Sequence, residues 1–419
     1  MKIKLDKCKL TDDDIIVYNK PKIVYIPLIS GNDTDITILV NKGEYVYKGS
    51  IIGKRKGDFR IPIHSSVSGT VLDFKEKLCF NGKKLKCVVI ENDFKEKIEN
   101  KTNVTKNINK YSKDEFIEII KENGIVGLGG AAFPTYVKYE HNKINTLIIN
   151  AVESEPYITA DYALAKSKCE EILEAIDAIL EINKIDEAII AIKKENIELK
   201  QIFDNFIGTY LKIKIQLVSN YYHSGWERQL IKEILNEEYD KFPIERGILV
   251  NNISTIYAIY EALKFNKPLI ERMVTFSGEC LNEKKNVLVK IGTPIKEILE
   301  QLQLDNKSIL IAGGPMMGIK VSNDLVLSSN INCILALTPN KEDSSSCINC
   351  GKCVEVCPAK LSPVLIMKQV NKKTHKIEQL KKMNPNSCIN CGLCSYICPS
   401  KIDVRGQIIN AKKTLKGGK

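Results

Sequence analysis

The sequence predicts an α/β protein built from several units, and three observations carry that reading. Short β segments crowd residues 22 to 92, strands and helices alternate from residue 146 onward, and cysteines concentrate in the last 79 residues. A chain of 419 residues has room for roughly two to four domains. Hydrophobic residues at 44% and charged residues at 27% give an ordinary globular balance and exclude a disordered chain. The opening MKIKLDKCKL has no apolar signal region, and no apolar run approaches the roughly 18 residues of a membrane span. A soluble or peripheral protein of a reducing compartment is expected, its cysteines holding metal in preference to forming disulfides.

Taken in order, KIVYIPLI, DITILV, NKGEYVYKGSIIG, SSVSGTVLDF and KCVVIEN read as strands, with Gly43, Gly49, Gly53 and Gly69 at their turns. They suggest a small β barrel or sandwich. Residues 93 to 113 are polar and read as an exposed linker. Asp114–Asn123 is an amphipathic helix closed by Gly124. Thr146–Asn150 is a buried strand, and Ala163–Ile182 a helix with Leu164, Ile172, Leu173, Ile176 and Ile179 on one face. Strands at Glu187–Ile192 and Ile213–Val218 alternate with helices at Ile197–Phe206 and Glu227–Leu235. GILV precedes a further helix at Ser254–Lys264. This alternation implies a mostly parallel sheet covered on both faces. Between 268 and 325, MVTFSG, NVLVKIG and SILIAGG read as strands and Ile295–Leu302 as a helix, a small α+β unit. The cysteine module has helices at Ser362–Val370 and Lys376–Lys382.

The net charge of +11 invites a nucleic acid or an anionic membrane as partner. Its distribution answers that. Lys341–Lys419 holds 14 Lys and one Arg against five acidic residues, so the module carries +10 and the remainder +1. A single-strand-binding surface needs aromatic rings among its lysines, and the module offers only Tyr396. Nucleic acid is excluded as a partner. Eight of the 14 cysteines lie in the module, and the other six (Cys8, Cys79, Cys87, Cys169, Cys280, Cys333) read as small buried hydrophobes.

Cys347, Cys350, Cys353 and Cys357-Pro358 form C-x2-C-x2-C-x3-C-P, and Cys388, Cys391, Cys394 and Cys398-Pro399 repeat it. This run binds [4Fe–4S] clusters in bacterial ferredoxins, where the fourth cysteine ligates the other cluster. One cluster is therefore assigned Cys347, Cys350, Cys353 and Cys398, and the second Cys388, Cys391, Cys394 and Cys357. Zinc, the alternative, takes four ligands around one ion, usually from two CxxC pairs or Cys with His.

Gly127-Leu-Gly129-Gly130-Ala131-Ala132 matches G-x-G-x-x-G/A, with Glu153 in the place of a ribose-binding acid. The context differs from a dinucleotide fold, since this loop follows a helix and runs into Phe133-Pro134. Asn150-Ala-Val-Glu153-Ser154-Glu155-Pro156, Tyr222-His-Ser-Gly225-Trp226-Glu227 and Asn251-Asn252-Ile-Ser-Thr255 follow successive strands. Each alone reads as capping. Together, at the carboxyl edge of a sheet, they predict a pocket.

On these motifs the sequence resembles the C subunit of the Rnf electron-transport complex, related to the flavin subunit of respiratory complex I. The resemblance rests on GLGGAAFPTYVK, NAVESEP, YHSGWERQLI, NNIST and AGGPMMG, followed by the doubled cysteine run. It implies a barrel-sandwich hybrid over residues 1–100, a Rossmann-like FMN and NADH domain over 101–266, a β-grasp domain over 267–340 and a two-cluster ferredoxin-like helical module over 341–419. It also implies noncovalent FMN lined by Gly127, Gly129, Gly130 and Lys138, with Asn150, Glu153 and Ser154 beside it. Gly225 and Glu227 approach from a second loop, and Asn251, Asn252 and Thr255 hold the phosphate. NADH stacks near Phe133, with Glu155 and Glu227 close by. Ser65–Gly69 offers no lysine for biotin or lipoate, so a carrier role for the first domain is not expected.

The implied activity is an NADH-dependent oxidoreductase: hydride to the flavin, then single electrons into two [4Fe–4S] clusters and on to partner subunits. No catalytic nucleophile is expected, and of the four histidines only His223 adjoins the pocket. The location is then the cytoplasmic side of the cell membrane, held peripherally through other subunits. The alternatives are a cytoplasmic paralogue serving a soluble reductase, or a flavin-free iron–sulfur adaptor. Departures from the family pattern are the missing F-x-G-G-x-H-P opening and Val152, where complex I has Asp. A third is Trp226 beside the flavin, whose bulk narrows the nicotinamide site. Each oxidised cluster with its thiolates carries about −2, so the module is left with about +6 and its lysines, with Lys412, Lys413, Lys416 and Lys419 at the end, suit an acidic partner or membrane surface.

Overall fold

The computed structural model describes residues 3–4, 15–18, 20–29, 35–57, 59–79, 82–99, 107–141, 143–305, 307–339, 344–372 and 377–417. Cys8, Lys341, Lys376 and Lys419, named above, and one of the four histidines, His375, lie outside them. The chain begins with β1 (Ile15–Tyr18), β2 (Ile23–Pro27), β3 (Ile36–Ile38), β4 (Tyr45–Val46), β5 (Ile51–Arg55), β6 (Pro62–His64), β7 (Gly69–Leu78) and β8 (Lys84–Asn92). β2, β8, β7 and β4 form one antiparallel sheet and β3, β5 and β6 another. Alternate side chains point inward, so Val24, Ile26, Ile52, Val71, Val88 and Ile90 fill the space between them. A Cβ at Gly69 would lie 1.8 Å from Glu91 O, so β7 opens only with glycine.

The stretch expected to be an exposed linker is largely exposed where it is described, but it is pinned at two points. Glu96 pairs with Lys290 at 2.7 Å and with Lys48 at 2.6 Å. The Lys290 side chain is 1% exposed, and a buried ammonium needs such a partner. Ile108 is fully buried in the next core.

That core belongs to the central unit: α1 (Lys113–Glu122), α2 (Thr135–Tyr139), β9 (Thr146–Asn150), α3 (Ala160–Ser167), α4 (Cys169–Asn183), β10 (Glu187–Lys193), α5 (Ile197–Asp204), β11 (Ile213–Val218), α6 (Glu227–Leu235), β12 (Ile248–Asn252) and α7 (Ile253–Phe265). Ser112 and Glu115 close a capping box at the start of α1. The sheet runs β11-β10-β9-β12, parallel throughout. Leu147, Ile149, Ile190 and Ile192 pack towards α4 and α7, while Ile148, Ala191 and Val250 pack towards Leu230 and Ile231 of α6. Coverage of both faces explains why β9 and β10 are apolar without alternation, while the edge strand β11 keeps Lys214 exposed.

One expected helix is two. Lys168 leaves the α region at φ −130° and separates α3 from α4. The break lets Ala160 and Leu164 of α3 pack on Met273 of the neighbouring sheet, while α4 stays on its own. That neighbouring sheet contains β13 (Glu271–Ser277), β14 (Lys285–Lys290), β15 (Ile309–Ala312), β16 (Ile319–Val321) and β17 (Cys333–Leu337), with α8 (Ile295–Gln301) against it. Its order is β1-β14-β13-β17-β15-β16. The N-terminal strand β1 and the central strand β17 are absent from the sequence reading.

The cysteine module holds α9 (Lys352–Glu355), α10 (Pro363–Val370), α11 (Ile377–Lys382), α12 (Leu393–Tyr396) and α13 (Val404–Gly417). Lys412, Lys413 and Lys416, read as a surface for an acidic partner or membrane, lie on the helix α13. Val404, Ile408 and Ala411 bury against Ile366, Met367 and Leu380. Among the described residues no helix is long and apolar enough to cross a membrane.

Candidate functional site: a cavity and two cysteine rings

The loop between α1 and α2 folds back on itself, with Gly127 N donating to Phe133 O at 2.8 Å and a bridge between Val126 and Pro134. It is tied to the start of α7 by Leu128 N donating to Thr255 Oγ1 at 2.9 Å. Arg272 of β13, fully buried, donates to Leu128 O at 3.4 Å and to Ser329 O. Burial pushes this guanidinium down to about 10, opposed by Asp161.

With the carboxyl ends of β9, β11 and β12, this loop encloses a cavity of about 470 Å³, within the range of small-molecule and cofactor sites. Gly127, Gly129, Phe133 and Lys138 line it from the loop and α2; Asn150, Glu153, Ser154 and Glu155 from beyond β9. Gly225 and Glu227 contribute from the loop before α6, and Asn251, Asn252 and Thr255 from β12 and α7. Of the residues expected there, Gly130 is not on the wall. Trp226 and His223 are on it.

The polar groups divide by task. Lys138 Nζ donates to Val250 O at 2.7 Å; burial lowers its pKa and the Glu227 charge opposes that. Asn252 caps α7 by accepting from Ser254 N and Thr255 N, and its amide donates to Asp161 Oδ2 at 2.6 Å. Glu153 caps α3 by accepting from Asp161 N and Tyr162 N. Asn150 Nδ2 donates to Gly225 O at 2.9 Å. A Cβ on Gly225 would lie 2.5 Å from Ser154 Oγ, so the two loops meet only through glycine. Ser154 Oγ is buried with no hydrogen-bond partner among the described residues. A cavity of this volume, ringed by glycines and holding an orphaned hydroxyl and a buried lysine, fits a phosphate-bearing flavin.

The cysteines form two rings. Cys347, Cys350, Cys353 and Cys398 line one void, and Cys357, Cys388, Cys391 and Cys394 line another. The backbone repeats with them: Asn349 and Asn390 have φ 59° and 58°, Gly351 and Gly392 have φ 77° and 80°, and Lys360 and Lys401 have φ 54° and 53°. Cys357 Sγ accepts from Leu361 N and Cys388 Sγ from Asn390 N, both at 3.4 Å. Burial, with the neighbouring thiols, pushes Cys394 up to about 12; burial takes Cys391 to about 11. Such a group of thiols ionises only around strong positive charge. Each void is lined by three cysteines of one run and the last cysteine of the other, the ligand division of two-cluster ferredoxins. The donor set fits a polynuclear cluster better than zinc.

Contacts outside the sequence reading join the cavity to the cysteine module. Tyr222, 4% exposed, lines the cavity; its hydroxyl lies 2.9 Å from Cys391 O and 3.1 Å from Glu155 Oε1. Burial raises the pKa of both Tyr222 and Glu155. Glu155 Oε2 also accepts from Met316 N at 3.0 Å. Arg405 of α13 donates to Met316 O at 3.0 Å and Met317 O at 2.6 Å. Lys412, expected to face solvent, donates to Cys388 O at 2.5 Å and Asn390 Oδ1 at 3.3 Å. Tyr222 opens a quoted motif, so its position was signalled, whereas Asp161 lies beyond the quoted residues; the partners of both lie far along the chain.

Residues 120–261 match the family model described as the Nuo51 FMN-binding domain, residues 2–95 the RnfC barrel sandwich hybrid domain, and residues 346–402 a 4Fe-4S dicluster domain. The C subunit of the Na(+)-translocating ferredoxin:NAD(+) oxidoreductase complex of Acetobacterium woodii is 30% identical over 360 residues, 83% of this chain and 81% of the relative. Its counterpart in the proton-translocating complex of Clostridium ljungdahlii is 33% identical over 361 residues, 83% and 78%. The C subunit of the ion-translocating oxidoreductase complex of Vibrio cholerae is 33% identical over 363 residues but is covered only over 47% of its length. In fold, the chain is similar to NAD+-reducing [NiFe]-hydrogenase in its air-oxidized state, with TM-score 0.54 and 14% identity over 75% of this chain and 69% of that one. The first two relatives are matched over more than two thirds of their length, so the chain belongs to the RnfC family, the C subunits of Rnf-type ion-translocating oxidoreductase complexes.

Proposed function

We propose that this chain takes electrons from NADH at the cavity and delivers them through the two cysteine rings to other subunits of an Rnf-type complex. One observation carries the reading: Cys391 lines both the cavity and the second cysteine ring. A flavin in the cavity supplies the exchange between a nicotinamide's electron pair and single electrons, and [4Fe–4S] clusters supply one-electron stores.

The chain's own residues bind and orient. Gly127 and Gly129 keep side chains out of the loop where a flat cofactor approaches, and Lys138 with the start of α7 supplies positive potential for its phosphate. Ser154 offers its unused hydroxyl. Glu153, Glu155 and Glu227 are engaged in holding α3, Tyr222 and Tyr239, so they build walls and no side chain serves as nucleophile. The adjacency orders the path. The cavity opens on the ring containing Cys391, and the ring containing Cys350, an exposed cysteine, lies nearer the partner. Domains divide near residues 100, 266 and 340, with β1 of the first segment completing the sheet of the third, and the chain sits at the cytoplasmic face of the membrane through its partners.

The test is anaerobic purification with flavin and iron counted, followed by NADH addition. Bleaching of the flavin band and then of the cluster shoulder is expected. A flavin that stays oxidised in NADH ends the dehydrogenase reading.

A further inference from the structure

The barrel-sandwich unit has no assigned task, and its docking indicates one. Ile61, between β5 and β6, is 1% exposed and sits in the core of the central unit with Val126, Leu128 and Ala132. A Cβ on Gly124 would lie 2.8 Å from Pro62 O. These contacts press the β5–β6 hairpin onto the glycine loop. Beside them the Phe59 ring meets Phe133 edge-on, centroids 5.7 Å apart and planes at 68°. The Arg55 guanidinium covers Phe59, 5.3 Å from its centroid. Phe133 lines the cavity yet is 39% exposed, so its ring is steadied from one side, by the hairpin. Edge-to-face pairs and cation–π contacts favour one ring orientation over others.

We propose that the β5–β6 hairpin buttresses the pyridine-nucleotide site from behind, with Phe59, backed by Arg55, orienting Phe133 as the platform for an aromatic ring of the dinucleotide. Phe59 is then a positioning residue, and the barrel-sandwich unit sets nucleotide affinity. This rests on the NADH reading above.

The full chain, loaded with FMN and clusters and kept anaerobic, is titrated with NAD+ by calorimetry and assayed with NADH and ferricyanide. Phe59→Ala is expected to raise the NAD+ Kd and the NADH KM about two- to tenfold, with kcat, FMN content and cluster signals held. Phe59→Tyr restores the wild-type KM, and Arg55→Gln shifts it in the same direction as Phe59→Ala. An unchanged KM in Phe59→Ala overturns the proposal, as does loss of FMN, which would assign the hairpin to the flavin loop. If NADH cannot reduce the wild-type flavin, the underlying reading falls; if it can and Phe59→Ala behaves as wild type, only this inference does.

Discussion

The Tyr222 hydroxyl lies 2.9 Å from the carbonyl oxygen of Cys391, placing one buried side chain on both the cavity wall and the second cysteine ring. Glu155 sits 3.1 Å away on the other side of the same hydroxyl. Tyr222→Phe keeps the ring and removes the contact. It is expected to cost about 1 kcal/mol of stability and to slow cluster reduction by NADH while flavin bleaching keeps its rate. Stopped-flow at the flavin and cluster bands separates these steps; equal slowing of both would assign Tyr222 to nucleotide binding.

The two rings exchange their last cysteine. Cys398→Ala should therefore damage the cluster of the first run and spare the second, and Cys357→Ala the reverse. Each variant should keep about four of the eight irons implied by two [4Fe–4S] clusters. Iron analysis with EPR decides, and damage to the variant's own run would contradict the crossed pairing.

Lys138 governs a pH dependence of flavin retention. Its pKa is lowered from 10.5 by burial, so the ammonium is charged below that lowered value and neutral above it. FMN should be released as pH rises through it, before the ordinary lysine range is reached. Lys138→Arg, charged throughout, should retain FMN over that range if its longer side chain is accommodated. Ultrafiltration of flavin at stepped pH makes the measurement.

Trp226 is the chain's one tryptophan and lies on the cavity wall. Its emission should be quenched in the flavin-loaded protein and rise severalfold when FMN is removed. Trp226→Gly should widen the cavity and lower the NADH KM. A KM that rises would show the indole to be a binding surface.

Much of the fold was legible because the signal is local. Thr146–Asn150, Ile213–Val218 and Glu227–Leu235 emerge with their expected ends, since a buried strand, an alternating edge strand and an amphipathic helix each state their burial in their own residues. α13 was equally readable: Val404, Ile408 and Ala411 recur at helical spacing, but Lys412, Lys413 and Lys416 just after them drew the reading towards a charged docking surface. β1 and β17 are different. β1 is four residues whose partner is β14, Ile15 opposite Asn286, and nothing in four residues announces a neighbour that distant. The break at Lys168 likewise answers to Met273 on another sheet.

The charge and the cysteines divide in the same way. By itself the sequence determined that the charge belongs to the cysteine module and that eight cysteines are spaced for two clusters, because thiolate spacing along a chain is a geometric constraint on what it can wrap. It also identified the loops of a cofactor pocket, since glycines and capping residues at strand ends carry their purpose locally. Only the tertiary structure decided that the pocket and the second ring share Cys391, that Tyr222, Glu155 and Arg405 brace the junction, and that Lys412 holds a cluster loop. Those relationships join residues up to 169 positions apart, and contacts between distant segments are fixed by how whole units pack.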